Sequence, residues 1–282
     1  MKKDSIKNHV VIITGGSSGI GYATADNVLG KGAVVCLIAR HEEKLRDAAA
    51  TLRLKHPGAS VHVYSCDISH YNDVKDTVVR IATELGRVDW LVNNAGTADV
   101  GRYEAQSVET MRSIFDVNYW GANHLTLAAL PYLKQSPNPA LVFVSSVAGY
   151  VGLFGYTHYT PSKFALSGLA ECLRMEFKDY NIPVTVVYPP DTDTPMHTRE
   201  KETTLPECLA LSANAKVLSA DTVAAKLVDG VLKKKFEVFC NGESKLIRVM
   251  RVLTPAVFFG FVDGVITKSR KKIKPEPTGV TP

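Results

Sequence analysis

Apolar runs rich in Val and Ile alternate along the chain with longer stretches of helical periodicity. The runs at 10–13, 34–39, 61–64, 90–92, 141–145 and 184–188 are short and almost free of polar interruption. Strands buried on both faces have that composition. Amphipathic stretches at 22–30, 43–55, 71–85, 108–133 and 163–181 lie between them. The alternation predicts a parallel sheet with helices on both faces. Right-handed crossovers make this a doubly wound α/β fold, a Rossmann-type three-layer sandwich.

Beyond about residue 190 the pattern loosens. Residues 192–211 are polar, proline-containing and irregular, the composition expected of a mobile flap, which is placed at about 190–215. A helix is expected over 221–233 and a last strand over 236–240. The expected organisation is a catalytic domain at 1–245 followed by an apolar, basic tail at 246–282.

Charge sharpens that division. The 282 residues carry a formal +5, but residues 231–282 hold eleven Lys and Arg against four acidic residues, so the rest of the chain is at −2. The main domain therefore offers no basic surface for nucleic acid. Five cysteines, odd in number and without a CxxC pair, argue against a disulfide framework or a metal site and for a reducing compartment. Met1-Lys2-Lys3-Asp4-Ser5 leads to the first strand without a signal-type apolar stretch.

In the tail, residues 252–262 are uncharged but only eleven long, bounded by Arg251 and Asp263 and broken by Pro255. A bilayer needs about twenty apolar residues. Phe258, Phe259 and Phe261 beside Lys268-Ser269-Arg270-Lys271-Lys272-Ile273-Lys274 suit a membrane surface. A re-entrant hairpin and a packed C-terminal helix or dimer contact are the other readings.

The first strand runs into Thr14-Gly15-Gly16-Ser17-Ser18-Gly19-Ile20-Gly21 and then a helix. Glycines are needed where the chain turns tightly and where backbone approaches a pyrophosphate at a helix N-terminus. The second strand ends at Ala39-Arg40, where an NAD site usually carries an acidic residue. Arg40, with Lys44 one helical turn on, instead suits a 2′-phosphate, so the expected cofactor is NADPH/NADP+. Both also read as ordinary solvated cations beside Glu42 and Glu43. Asp67 can accept from the adenine amino group or cap the following helix, with Ile68 beside it. Asn94, in Asn93-Asn94-Ala95-Gly96, is expected to shape the floor of the cleft.

Tyr159 and Lys163 stand four residues apart, so on a helix their side chains point the same way. Pro161 fits only a first helical turn and places the pair near a helix start. An ammonium beside the phenol, with the helix end and an oxidised nicotinamide, would bring its proton into working range. Ser146 lies at the carboxyl edge of its strand and can hold a carbonyl oxygen, with Ser145 the competing candidate. Asn118 can link Lys163 to solvent through a water, or is a helix-interior polar residue. His124 and His158 have no partners legible in the sequence.

Taken together, the glycine-rich turn, Cys66-Asp67, Asn93-Asn94-Ala95-Gly96, Asn118, Ser146 and Tyr159/Lys163 resemble the short-chain dehydrogenase/reductase family over about residues 8–240. The resemblance implies a seven-stranded sheet and a Tyr159/Lys163/Ser146/Asn118 tetrad. It implies hydride delivery to a carbonyl carbon, with Tyr159 protonating the oxygen, Ser146 orienting the carbonyl and Lys163 holding the ribose. It also implies a dimer or tetramer formed through 108–133 and 163–181. Tyr188-Pro189-Pro190-Asp191-Thr192-Asp193-Thr194-Pro195, 37–45 and Gly149-Tyr150-Val151-Gly152 look similar to the 3-ketodihydrosphingosine (3-ketosphinganine) reductases. That subgroup implies a long-chain sphingoid ketone as substrate and 2′-phosphate contacts on Arg40 and Lys44. It further implies membrane association with the catalytic domain in the cytosol, at the endoplasmic reticulum in a eukaryote. Met196, where glycine is expected, and the lack of an N-terminal apolar anchor depart from the subgroup pattern.

Overall fold

The computed structural model describes residues 6–213 and 215–272. Each apolar run forms a strand, and each amphipathic stretch becomes the helix that returns the chain to the sheet. In chain order they are β1 (Val10–Thr14), α1 (Gly19–Leu29), β2 (Val34–Ala39), α2 (Glu42–Lys55), β3 (Val61–Ser65), α3 (Tyr71–Leu85) and β4 (Trp90–Asn93). Then come α4 (Val108–Phe115), α5 (Ala122–Leu133), β5 (Ala140–Val144), α6 (Tyr159–Glu176) and β6 (Val184–Tyr188). The sheet order is β3-β2-β1-β4-β5-β6-β9, with β9 at Glu237–Phe239, and every pairing is parallel. The order reverses between β1 and β4, which opens a crevice at their carboxyl ends.

Strand alternation divides the core in two. Val11, Ile13, Val35, Leu37, Val92 and Val142 face Val28, Leu45, Leu52 and Leu227 on one side of the sheet. Ile12, Ile38, Leu91, Phe143 and Val186 face Val78, Ile81, Leu125 and Leu166 on the other. This is the expected Rossmann-type α/β sandwich.

Two expectations need correction. The stretch 108–133 is not one regular helix: a π-helical segment, Asp116–Gly121, joins α4 to α5. Ile68 packs where the segment widens, and a side chain at Gly121 would bring a Cβ within 2.6 Å of it. Residues 192–211 are not irregular either. They form β7 (Thr192–Asp193), α7 (Pro195–Thr203) and α8 (Pro206–Ser212), with β7 pairing to β8 (Leu218–Ser219) ahead of α9 (Ala220–Leu232). The start signals are local: Thr194 Oγ1 accepts from the His197 N–H at 3.2 Å, and both helices open on proline.

The tail folds into α10 (Gly242–Leu253) and α11 (Pro255–Lys272). Among the described residues no single helix is long and apolar enough to cross a membrane, but this pair, bent by 116°, passes by length and composition together. Phe258 is buried in the main core, and Tyr150 donates its hydroxyl proton to the Ser244 carbonyl at 2.7 Å. Glu207 of α8, fully buried, receives Arg102 at 2.9 Å and Arg270 of α11 at 3.4 Å. Leu246, Val252, Leu253, Val257 and Phe261 remain exposed. Met1–Ser5 and the basic end at Ile273-Lys274 lie outside the described residues.

Candidate active site

β1 hands the chain to α1 through a turn that only glycine permits. Gly15 adopts φ +65°, and its N–H donates to the Ile38 carbonyl at 2.8 Å. At Gly21 an added Cβ would stand 2.4 Å from the Gly15 carbonyl oxygen. Ser18 is the N-cap of α1 but makes no side-chain cap, so the first N–H groups of the helix are left for an anion. Asn94 reaches back into this turn: its Nδ2 donates to the Thr14 carbonyl at 2.9 Å, and Thr14 Oγ1 receives the N–H groups of Asn94 and Ala95. Asn94 therefore fixes the glycine turn as well as lining the cleft.

Gly15, Ser17, Ser18, Gly19 and Ile20 form one end of a cleft of about 440 Å³, with Ser146, Tyr159 and Lys163 further along it. Arg40 and Lys44 are exposed beyond β2, outside that lining. Asp67 Oδ1 accepts from the Ser69 N–H at 3.0 Å and from its hydroxyl at 2.7 Å, a local turn ahead of α3 rather than a helix cap, since the N-cap of α3 is His70. Against the pull of burial, those bonds and the nearby Arg40 charge hold the Asp67 carboxyl below the usual range. The side chain of Ile68 belongs to the core, leaving only its backbone for a nucleotide contact.

Ser145 and Ser146 both line the cleft but have different partners. Ser145 is buried and donates to the Lys163 carbonyl at 3.1 Å, so it braces β5 against α6. Ser146 accepts from the Ala148 N–H at 3.1 Å, and its hydroxyl lies near enough to Tyr159 to favour the phenolate. α6 begins at Tyr159, with Pro161 in its first turn as expected. Lys163 lies one turn on, its Nζ donating to the Val144 carbonyl at 2.9 Å and standing 5.7 Å from the centroid of the Tyr159 ring. Asn118 sits on the π-helical segment, holding the Thr97 N–H and carbonyl at 2.8 and 2.9 Å and donating to Ser162 Oγ at 2.9 Å. A Cβ at Gly96 would lie 3.2 Å from Asn118 Oδ1 and 3.4 Å from Lys163 Nζ, so the two groups flank one small space.

The protein's own groups do not bring the Tyr159 proton down. Burial raises the phenol above its ordinary value, and the nearby Ser146 hydroxyl opposes this only in part. Burial alone lowers Lys163 to about 8. Of the lone histidines, His124 Nδ1 meets the Ile68 carbonyl at 3.1 Å, and His158 is buried with its ring 6.0 Å from Tyr103. Neither lines the cleft. Sequence reading missed the far wall, made by Tyr156, Asp191, Glu200 and Ile247.

Residues 9–205 match the short chain dehydrogenase family. The chain belongs to that family. The 3-ketodihydrosphingosine reductase of Bos taurus is 41% identical over 230 residues, 80% of this chain and 69% of that protein. The protein of the same name in Dictyostelium discoideum is 34% identical over 274 residues, 92% of this chain and 82% of its own. A solved short-chain dehydrogenase from Sphingobium yanoikuyae in complex with NADPH superposes with a TM-score of 0.72 at 25% identity, over 96% of this chain and 98% of its own. As a member of the short-chain dehydrogenases, this chain is an oxidoreductase that takes a nicotinamide cofactor. The glycine turn and the free end of α1 fit the pyrophosphate of such a dinucleotide.

Proposed function

We propose that the protein reduces the 3-keto group of 3-ketodihydrosphingosine to dihydrosphingosine with NADPH. The observation that carries the reading is a cleft in which Ser146, Tyr159 and Lys163 converge, in a chain 34–41% identical to reductases named for that substrate. When bound, the dinucleotide supplies the hydride. Ser146 and Tyr159 hold the carbonyl oxygen between two hydroxyls, an arrangement that stabilises developing charge on it. Tyr159 stays protonated well above neutral pH and gives its proton to that oxygen. Lys163, buried beside the ring, holds the nicotinamide ribose and places positive charge near the phenolate that remains. Asn118 keeps the loop at Gly96 and Thr97 in place, so that Lys163 has an outlet toward solvent. Arg40 and Lys44 receive the 2′-phosphate; Asp67 and the Ile68 backbone border the adenine.

Residues 1–245 form the catalytic domain in this reading, with the flap at about 190–215 over the substrate. Residues 246–282 dock on a membrane surface, where a long-chain ketone resides. Exposed apolar side chains of α10 and α11 beside Arg251, Lys268 and Lys271 support that placement. The catalytic domain then faces the cytosol, at the endoplasmic reticulum in a eukaryote. Exposed Met111, Trp120, Leu127 and Phe164 on α4, α6 and the segments between favour a homodimer or homotetramer. NADPH oxidation with the sphingoid ketone, a steroid ketone and a 3-oxoacyl chain tests the substrate. Turnover of the sphingoid ketone at the highest kcat/KM is expected; turnover confined to either of the others contradicts the reading.

A further inference from the structure

Two carboxylates in the cleft have no part in the chemistry just described. Asp191 follows β6 and Glu200 lies on α7; both line the cleft, and both raise the Tyr156 and Tyr159 phenols. The side chain of Glu200 is only 16% exposed, and its one ion-pair contact among the described residues, His197 Nδ1, is 3.9 Å away. Among the described residues no hydrogen-bond donor reaches its carboxylate. Glu207, seven residues on, shows how the fold treats a structural carboxylate: it is fully buried and held by two arginines. Glu200 has no such support. Burial, then the neighbouring Asp191 charge, raise it to about 7, with Arg199 opposing. Arg199, Lys201 and Lys216 line the rim but are themselves exposed to solvent. His197 Nε2, beside Glu200, is likewise buried without a partner among the described residues.

A largely enclosed carboxylate with a like charge near it and no hydrogen-bonded counter-ion is relieved by a cation. The substrate proposed above carries one in the required place, an ammonium on the carbon next to its carbonyl. With the carbonyl oxygen on Tyr159 and Ser146, that group is two bonds from the reacting carbon and inside the same cleft. We infer that Glu200, supported by Asp191, receives the ammonium of the amino ketone and so distinguishes a sphingoid base from a neutral ketone of equal length. The inference rests on the substrate reading above. It also supplies a reason for preference: a neutral ketone offers Glu200 no cation, so it gains nothing from the carboxylate pair.

Two measurements test it. The first compares kcat/KM for 3-ketodihydrosphingosine with that for the same long-chain ketone lacking the amine, in the wild type and in Glu200→Gln. The ratio is expected to fall roughly 10- to 100-fold in the variant, the size of one lost hydrogen bond between charged groups, with Glu200→Asp between. The second needs no variant: a long-chain primary amine should compete with the ketone at least tenfold more tightly than the alcohol of equal length. An unchanged ratio, an equal loss on both ketones, or equal inhibition by amine and alcohol overturns the role of Glu200 and leaves the substrate reading intact. Failure of the wild type to reduce the amino ketone overturns both.

Discussion

At the scale of the residue, burial sets the two proton-carrying groups apart. Tyr159 is held in its acid form, whereas Lys163, with no carboxylate to support it, is brought down to about 8. Its ammonium is present below that pH and lost above it. Nucleotide affinity should therefore weaken as pH rises through about 8, and Lys163→Met should bind more weakly and without that dependence; NADPH fluorescence titrations at pH 6.5 and 9 check both. Arg40 stands at the end of β2, where its cation faces solvent and the Asp67 charge. Arg40→Asp is expected to reduce NADPH affinity at least tenfold while leaving NADH nearly unchanged, and equal losses would remove the 2′-phosphate role.

At the scale of the element, the glycine turn shows what a local pattern can carry. Gly15 and Gly21 were legible because strand, turn and helix follow one another, and the structure shows the backbone contact that forbids a side chain. Gly21→Ala should leave the sheet folded, because the clash is confined to the turn, but reduce nucleotide affinity tenfold or more; calorimetric titration with NADPH reads this directly. Tyr159 and Lys163 were legible for the same reason, being one helical turn apart. Asn118 was legible as a candidate, but its π-helical setting was not, since it depends on the packing of Ile68 against Gly121. Residues 192–211 were missed as helices because few of their side chains are apolar, although Thr194-Pro195 and Pro206 carried the start signals. Glu200 had no local signal at all: it becomes a candidate only when α7 folds over the cleft and leaves its carboxylate without a partner.

At the scale of the whole molecule, the parallel sheet, its strand order and the crevice between β1 and β4 follow from the alternation of apolar runs and helices. The tail did not follow so simply. Eleven uncharged residues gave its composition, but the bend, the burial of Phe258 and the Arg270 contact with Glu207 depend on the body beneath it. Removing 246–282 would uncover that body, so substitution is the cleaner probe of docking. Leu253, Val257 and Phe261 are 74, 63 and 67% exposed, and replacing all three with Asp should leave Tm within a few degrees. Co-sedimentation with anionic vesicles should be lost in that variant; retention would contradict membrane docking through this face.

In the proposed reaction Tyr159 and its neighbours deliver a proton as hydride from NADPH reaches C3 of the sphingoid ketone. NADPH carrying deuterium on the transferred face of the nicotinamide, incubated with 3-ketodihydrosphingosine and read by mass spectrometry, follows both steps. The expected product is dihydrosphingosine with one deuterium at C3, formed by the wild type and reduced by roughly 10²- to 10⁴-fold in Tyr159→Phe. No product, product without deuterium, or full activity in Tyr159→Phe would contradict it.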